Sequence, residues 1–231
     1  MAEYLVQDSS LNDIADAIRK KGGTSDALAF PDGFVNAVGA IQSGGQDLLA
    51  AKLMNTLTSY SSDEITTLGY RAFANTNSIE YISLPNLVKT SGGNAFSDCP
   101  KLKTGYFPKW KTLSGSDFIN SKGLTNLELP SASRIPSMFF SGCSALEKVV
   151  LHVANSISGR AMRGCVSLTT LVLKSNTMVS LEHIDCFENC GTTINVYVPS
   201  SLLSDYQNGT NWSAVTGATL NFVALEGSEY E

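Results

Sequence analysis

Apolar and polar positions recur along residues 73–198 with a fixed spacing. With Phe96, Phe118, Phe140 and Met162 as origins, the steps are 22, 22 and 22 residues. Phe73 stands 23 before the first and Phe187 stands 25 after the last, which makes six units. Six places after each origin come Ile79, Leu102, Leu124, Leu146 and Leu168, with Thr193 beside Ile194 in the last unit. Nine places after come Ile82, Gly105, Leu127, Val149, Leu171 and Val196. Eleven places after come Leu84, Phe107, Leu129, Leu151, Leu173 and Val198, and proline follows at 85, 108, 130 and 199. Gly105 interrupts the apolar series and Met162 replaces the aromatic origin.

A period near 22 with an L-x-x-L-x-L core lies within the roughly 20–29 residues of leucine-rich repeats, whose coils stack because one coil cannot bury its own apolar face. Alternation at plus nine and plus eleven predicts a short strand with one buried face. The rest of each unit, rich in Ser, Gly and Asn, predicts turns, short strands and single helical turns. The expected fold is an α/β repeat solenoid: a right-handed leucine-rich-repeat coil with a parallel sheet of short strands. The plus-three places hold Thr76, Cys99, Ser121, Cys143, Cys165 and Cys190. Small side chains at a fixed register predict a tight interior corner, since free cysteine packs as a small hydrophobe. A Cys143–Cys165 bridge between stacked coils is within reach by distance, but the expected cytosolic site of synthesis argues for thiols.

Four segments follow. Residues 1–45 lie outside the repeat and read as helical. Leu11, Ile14, Ala15 and Ile18 share one face behind an N-cap at Ser10, and Phe34, Val38 and Ile41 share another after Pro31. This segment is expected to attach the chain to another protein, to self-associate, or to cap the open end of the solenoid. Residues 46–67 read as linker and N-terminal cap, 68–199 as the six repeats, and 200–231 as the C-terminal cap.

Charge narrows the partners. Sixteen basic against twenty-one acidic residues give a net charge of −5 and no footprint for nucleic acid. No run approaches the roughly 18 apolar residues of a membrane helix, so membrane insertion is not expected. The start, MAEYLVQDSS, has neither the basic nor the apolar region of an export signal. Catalytic signatures such as G-x-S-x-G, H-E-x-x-H, a P-loop or a dinucleotide fingerprint are missing, and no enzyme activity or cofactor is expected. The densest run of reactive residues, HIDCFENC, holds His183, Asp185, Cys186 and Cys190. It offers zinc ligands by type, but Cys190 already has the inward corner place and four convergent ligands are wanted. No metal site is assigned.

Two resemblances add to this. The stretch LNDIADAIRKKGGTSDALAFPDGFVNAVGAI, residues 11–41, resembles a segment near the start of tail and fibre proteins of phages and prophages of Gram-positive bacteria. RAFANTNSIEYISLP and NAFSDCPKLKTGYFP, within residues 68–199, resemble the BspA-like leucine-rich repeats, A-F-x-x-C-x-x-L-x-x-V-x-L-P. VYVPSSLLSDYQNGTNWSAV is similar to the segment that closes such arrays. The first resemblance implies a virion tail protein that contacts other tail or baseplate proteins through residues 1–45, with a homotrimer as one expected state. The second implies a binding or structural module, and the alternatives are a bacterial surface adhesion protein or a tail scaffold without a receptor.

Ligand contact is expected on the outward strand positions, plus eight and plus ten, which form two ladders on one concave face. They include Tyr81, Tyr106, Glu128, Lys148 and Tyr197. In KLKTGYFPKWK, Tyr106 and Trp110 stand among Lys109, Lys111 and other lysines, a combination suited to a host cell-surface polysaccharide or an anionic polymer. The plainer reading is a solvated turn around a core Phe107.

Overall fold

A computed structural model describes residues 58–231; the two helices expected within residues 1–45 lie outside the described part. Its strands are β1 (Ser59–Ser61), β2 (Thr67–Leu68), β3 (Tyr81–Ser83), β4 (Lys89–Thr90), β5 (Thr104–Tyr106), β6 (Asn126–Leu129), β7 (Arg134–Ile135), β8 (Lys148–Leu151), β9 (Ser156–Ile157), β10 (Thr170–Leu173), β11 (Ser180–Leu181), β12 (Thr193–Val198) and β13 (Thr219–Ala224). One short helix, α1 (Leu203–Asn208), follows a 3-10 turn at Ser200–Leu202.

Every strand pair is parallel, and the register follows the repeat. Tyr81 pairs with Thr104, Asn126 with Lys148, Lys148 with Thr170, and Thr170 with Asn195, so plus-eight residues align rung upon rung. One side of the coil is a run of eight rungs, in the orders β1-β3-β5 and β6-β8-β10-β12-β13. A second side carries two-residue strands, β2-β4 and β7-β9-β11. The rungs β1 and β13 lie outside the six units that the sequence period marks.

Backbone polar groups inside a coil must find partners, and here the partner is the adjacent coil. The origin amides make the same bond each time: Phe73 N donates to Ala95 O at 2.7 Å, Phe96 N to Asp117 O at 2.7 Å, Phe118 N to Phe139 O at 3.0 Å and Phe140 N to Ala161 O at 2.7 Å. Left-handed residues turn the chain at this corner, two in each of the first five coils and one in the sixth. Arg71, Asn94, Ser116, Met138 and Arg160 stand two before an origin, and Asn75, Asp98, Asn120, Gly142, Gly164 and Asn189 stand two after, all with φ between 55° and 77°. Asn, Asp and Gly bear that conformation at low cost, whereas Arg71, Met138 and Arg160 carry strain there.

The origins form the spine of the core. Phe73, Phe96, Phe118 and Phe140 stack at centroid separations of 5.4, 4.9 and 5.8 Å, with their planes nearly parallel, and all are fully buried. Burying one such ring is worth about 1.5–3 kcal/mol. The break at Gly105 has a steric cause: a Cβ there would lie 2.4 Å from the Phe107 ring, which fills the space that a plus-nine side chain takes elsewhere. The plus-three corner is interior as expected. Cys99, Cys143, Cys165 and Cys190 are buried free thiols. Each donates Sγ to the origin carbonyl one coil back: Phe73 O at 3.1 Å, Phe118 O at 3.0 Å, Phe140 O at 3.2 Å and Met162 O at 3.1 Å. Ser121 Oγ does the same to Phe96 O at 2.6 Å.

At the C-terminal end, α1 seats Tyr206 in the core, where its hydroxyl accepts from Val179 N at 2.8 Å. Trp212 beside it donates Nε1 to Val179 O at 2.8 Å.

Candidate functional site: the outward face of the sheet

The plus-eight and plus-ten side chains divide into two regions. On β3, β5 and β6, Tyr81 is 41% exposed and Tyr106 52%, and Asn126 and Glu128 stand open beside them. Thr104 Oγ1 donates to Asn126 Oδ1 at 3.1 Å across the rungs, and Glu128 Oε1 meets His152 Nε2 at 2.7 Å. Lys103 Nζ lies 2.6 Å from Glu80 Oε2 at the edge of the same strands. That pair is exposed, and the lysine holds the Glu80 carboxyl below its ordinary range. Tyr81 aligns with Thr104 and Ser83 with Tyr106, so the two tyrosines are diagonal neighbours.

The second region is covered by the chain itself, which corrects the expectation of two uninterrupted exposed ladders. Val150 and Val172, at plus ten on β8 and β10, are buried against Leu225, with Tyr197 and Tyr230 packed alongside. The Tyr230 ring meets Tyr197 edge-on at 4.7 Å, and Lys148 Nζ stands 5.5 Å from its centre. Lys148 and Tyr197 are therefore half-buried under a strap formed by residues 225–231. The strap is knitted locally: Ser228 Oγ donates to Leu225 O at 2.6 Å and Gly227 N to Glu231 Oε2 at 2.9 Å. The apolar KVVL and TLVL strands were its signal in the sequence, since valine replaces the polar plus-ten residue there.

Trp110 does not belong to this face. It is 0% exposed and sits among Phe96, Phe107, Phe118 and Phe139, with centroids 5.2–5.9 Å away. The turn in which Trp110 N donates to Phe107 O points the indole inward, edge-on against the Phe107 and Phe96 rings. Its Nε1 has no hydrogen-bond partner. Lys109 and Lys111 stay exposed on that turn, Lys109 Nζ donating to Asn86 Oδ1 of the preceding coil at 2.9 Å. The turn thus offers two amines without an aromatic platform.

Asp117 escaped the sequence reading. It occupies the place before the origin, where Ala95 and Ala161 stand in other coils, and is fully buried. Oδ1 accepts from Ala95 N at 3.0 Å, and Oδ2 accepts from Thr90 Oγ1 at 2.7 Å and Ser114 N at 3.0 Å. Burial pushes its carboxyl up to about 6, against the pull of those donors. Neighbouring coils are tied together by this one side chain, which is closed off from solvent.

The HIDCFENC run is dispersed in the same way. Cys186 and Cys190 are buried, and burial raises both thiols, that of Cys190 to about 11. His183 accepts from Asp185 N as the cap of a 3-10 turn, and Asp185 and Glu188 pair with Arg160 and Arg163 at 3.1–3.5 Å. Among the described residues, no three His, Cys, Asp or Glu side chains converge as a metal ion would need.

Comparison with known proteins agrees with the coil. The profile of the BspA type leucine rich repeat region matches in six copies, over residues 53–152 and 111–210. A leucine-rich repeat protein of Eubacterium ventriosum superposes over 58% of this chain and 37% of its own, with a TM-score of 0.51 at 22% identity. The pneumococcal vaccine antigen PcpA superposes over 80% of this chain and 44% of its own, with a TM-score of 0.59 at 18% identity. The chain thus spans less than half the length of either structure. A search of curated proteins finds no match. Nothing in these comparisons supports a tail-protein origin for residues 11–41.

Proposed function

Because the chain belongs to the BspA-type leucine-rich repeat family, we propose that it is a non-enzymatic recognition protein of the surface-adhesion kind. Its ligand is held on the open face at Tyr81, Tyr106, Asn126 and Glu128. The observation that carries this reading is the pair of exposed tyrosines, diagonal on adjacent rungs, on a face whose other half the protein seals with its own tail. Broad exposed aromatic surface beside fixed hydrogen-bonding groups suits a sugar ring, which lays its apolar side on the phenol and its hydroxyls on Asn126 and Glu128. Solenoids use such extended surfaces for binding.

The test is binding of the full chain to an array of bacterial cell-wall glycans. Tyr81→Ala and Tyr106→Ala are expected to weaken binding about tenfold each, as hot-spot aromatics do, while Lys111→Ala leaves it within twofold. Binding that survives the double tyrosine variant would refute this face. A second reading, attachment to a phage tail through residues 1–45, rests on the resemblance of residues 11–41 alone. Immunogold labelling of particles from an induced culture tests it, and unlabelled particles count against it.

A further inference from the structure

The last rung is built as an open edge. In β13, Thr219 N donates to Thr192 O and Leu225 N to Val198 O, so alternate residues turn their backbone toward β12. Leu220, Phe222 and Ala224 therefore turn their N–H and C=O groups away from it, and those three amides have no partner among the described residues. Natural sheets guard such an edge with charge, proline or a bulge. The segment TLNFVA has no charged residue, no proline and no glycine.

The layer behind the edge is only partly covered, by the rings of Tyr206 and Trp212, each 6.0 Å from that of Phe222. Leu220, Phe222 and Ala224 align with Ile194, Val196 and Val198. The three β12 side chains are completely buried, whereas their β13 counterparts are only half-buried. Beside them runs an open groove of about 500 Å³, lined by Trp212, Val215, Leu220 and Phe222 among others. The helix α1 and Trp212 cap this layer on one side, and Leu220, Phe222 and Ala224 keep apolar surface open along the strand edge.

The geometry points to a second copy of this chain as the occupant: β13 pairs antiparallel with its own equivalent, across a two-fold axis through Phe222 perpendicular to the sheet. Only the antiparallel arrangement lets both copies use the same residues and closes after two. The outward residues are spaced evenly about Phe222, so Leu220 of each copy exchanges both bonds with Ala224 of the other, and the two Phe222 residues exchange theirs. The axis keeps inward faces inward, so each exposed apolar layer meets the other. Head-to-tail stacking fits less well, because at the other end of the described residues the strand is the three-residue β1, half the length of β13.

The full chain is examined by sedimentation equilibrium and by hydrogen exchange at low and high concentration. A dimer is expected, with slower exchange at 220, 222 and 224 as concentration rises. Ala224→Pro removes one outward donor per copy and leaves every bond to β12, so the dimer should weaken roughly tenfold or more. Leu220→Lys should weaken it by setting an unpaired charge in the apolar layer beside Ala224 of the other copy. Circular dichroism and urea unfolding verify that both variants keep the coil. A wild-type chain that stays monomeric into the millimolar range overturns the proposal. An oligomer, or capture of another protein's strand, that persists in both variants overturns it equally.

Discussion

Replacing Asp117 by asparagine isolates a buried ionisable carboxyl that links three segments of the coil. Its folded-state value is about 6, raised by burial from 3.8. An unfolded chain therefore gives up this proton first as pH rises, and the folded chain retains it longer. The stabilisation from the neutral acid is fully present below about pH 4, fades as pH rises through 6, and is gone above. A shift of roughly two units at 1.36 kcal/mol each corresponds to about 3 kcal/mol. Asparagine has nearly the shape of the protonated acid and does not titrate. Urea unfolding of both chains between pH 4 and 7.5 should give a stability difference that moves by about 3 kcal/mol in favour of the variant as pH rises. Carboxylates shared by both chains cancel in that difference. Parallel stability curves, diverging by less than about 1 kcal/mol, would refute the claim that Asp117 is held as a neutral acid below pH 6.

Other changes test the coil itself. Ser116→Gly relieves a left-handed backbone at φ 62° and should stabilise by about 0.5–1 kcal/mol in urea unfolding. Gly105→Val drives a side chain into the Phe107 ring and should cost about 1–3 kcal/mol, with a lowered Tm. Cys143→Ser keeps a donor for Phe118 O, as Ser121 does for Phe96 O, and should cost less than about 1.5 kcal/mol; Cys143→Val, which cannot donate, should cost more. Deleting residues 225–231 should expose Val150 and Val172 and raise binding of a hydrophobic dye to the shortened chain.

The period alone revealed the stack of origins, the strand at plus nine to plus eleven and the thiol corner, because each is set by neighbours at the same register. Trp110 was misplaced for the complementary reason. Its neighbours Lys109 and Lys111 are exposed, and only the rings of Phe96, Phe107, Phe118 and Phe139, brought from four positions in the chain, enclose the indole. The strap was hidden because Leu225 and Tyr230 meet Val150, Val172 and Tyr197, up to 80 residues earlier in the chain, with no spacing rule to relate them. Asp117 went unseen since a lone acid among turn residues reads as solvated until Thr90 and Ala95 are placed against it.

The bond from each origin amide to the coil beyond it has a consequence for inheritance. Loss of residues 118–139 would set Phe140 on Phe96 with every donor again facing a carbonyl, since the coil ahead offers the same corner as the one removed. Loss of one residue within a strand turns its buried side chains outward. A gene of this kind sheds or gains whole coils more safely than it tolerates a three-base deletion, and the length of the displayed surface is free to vary between lineages.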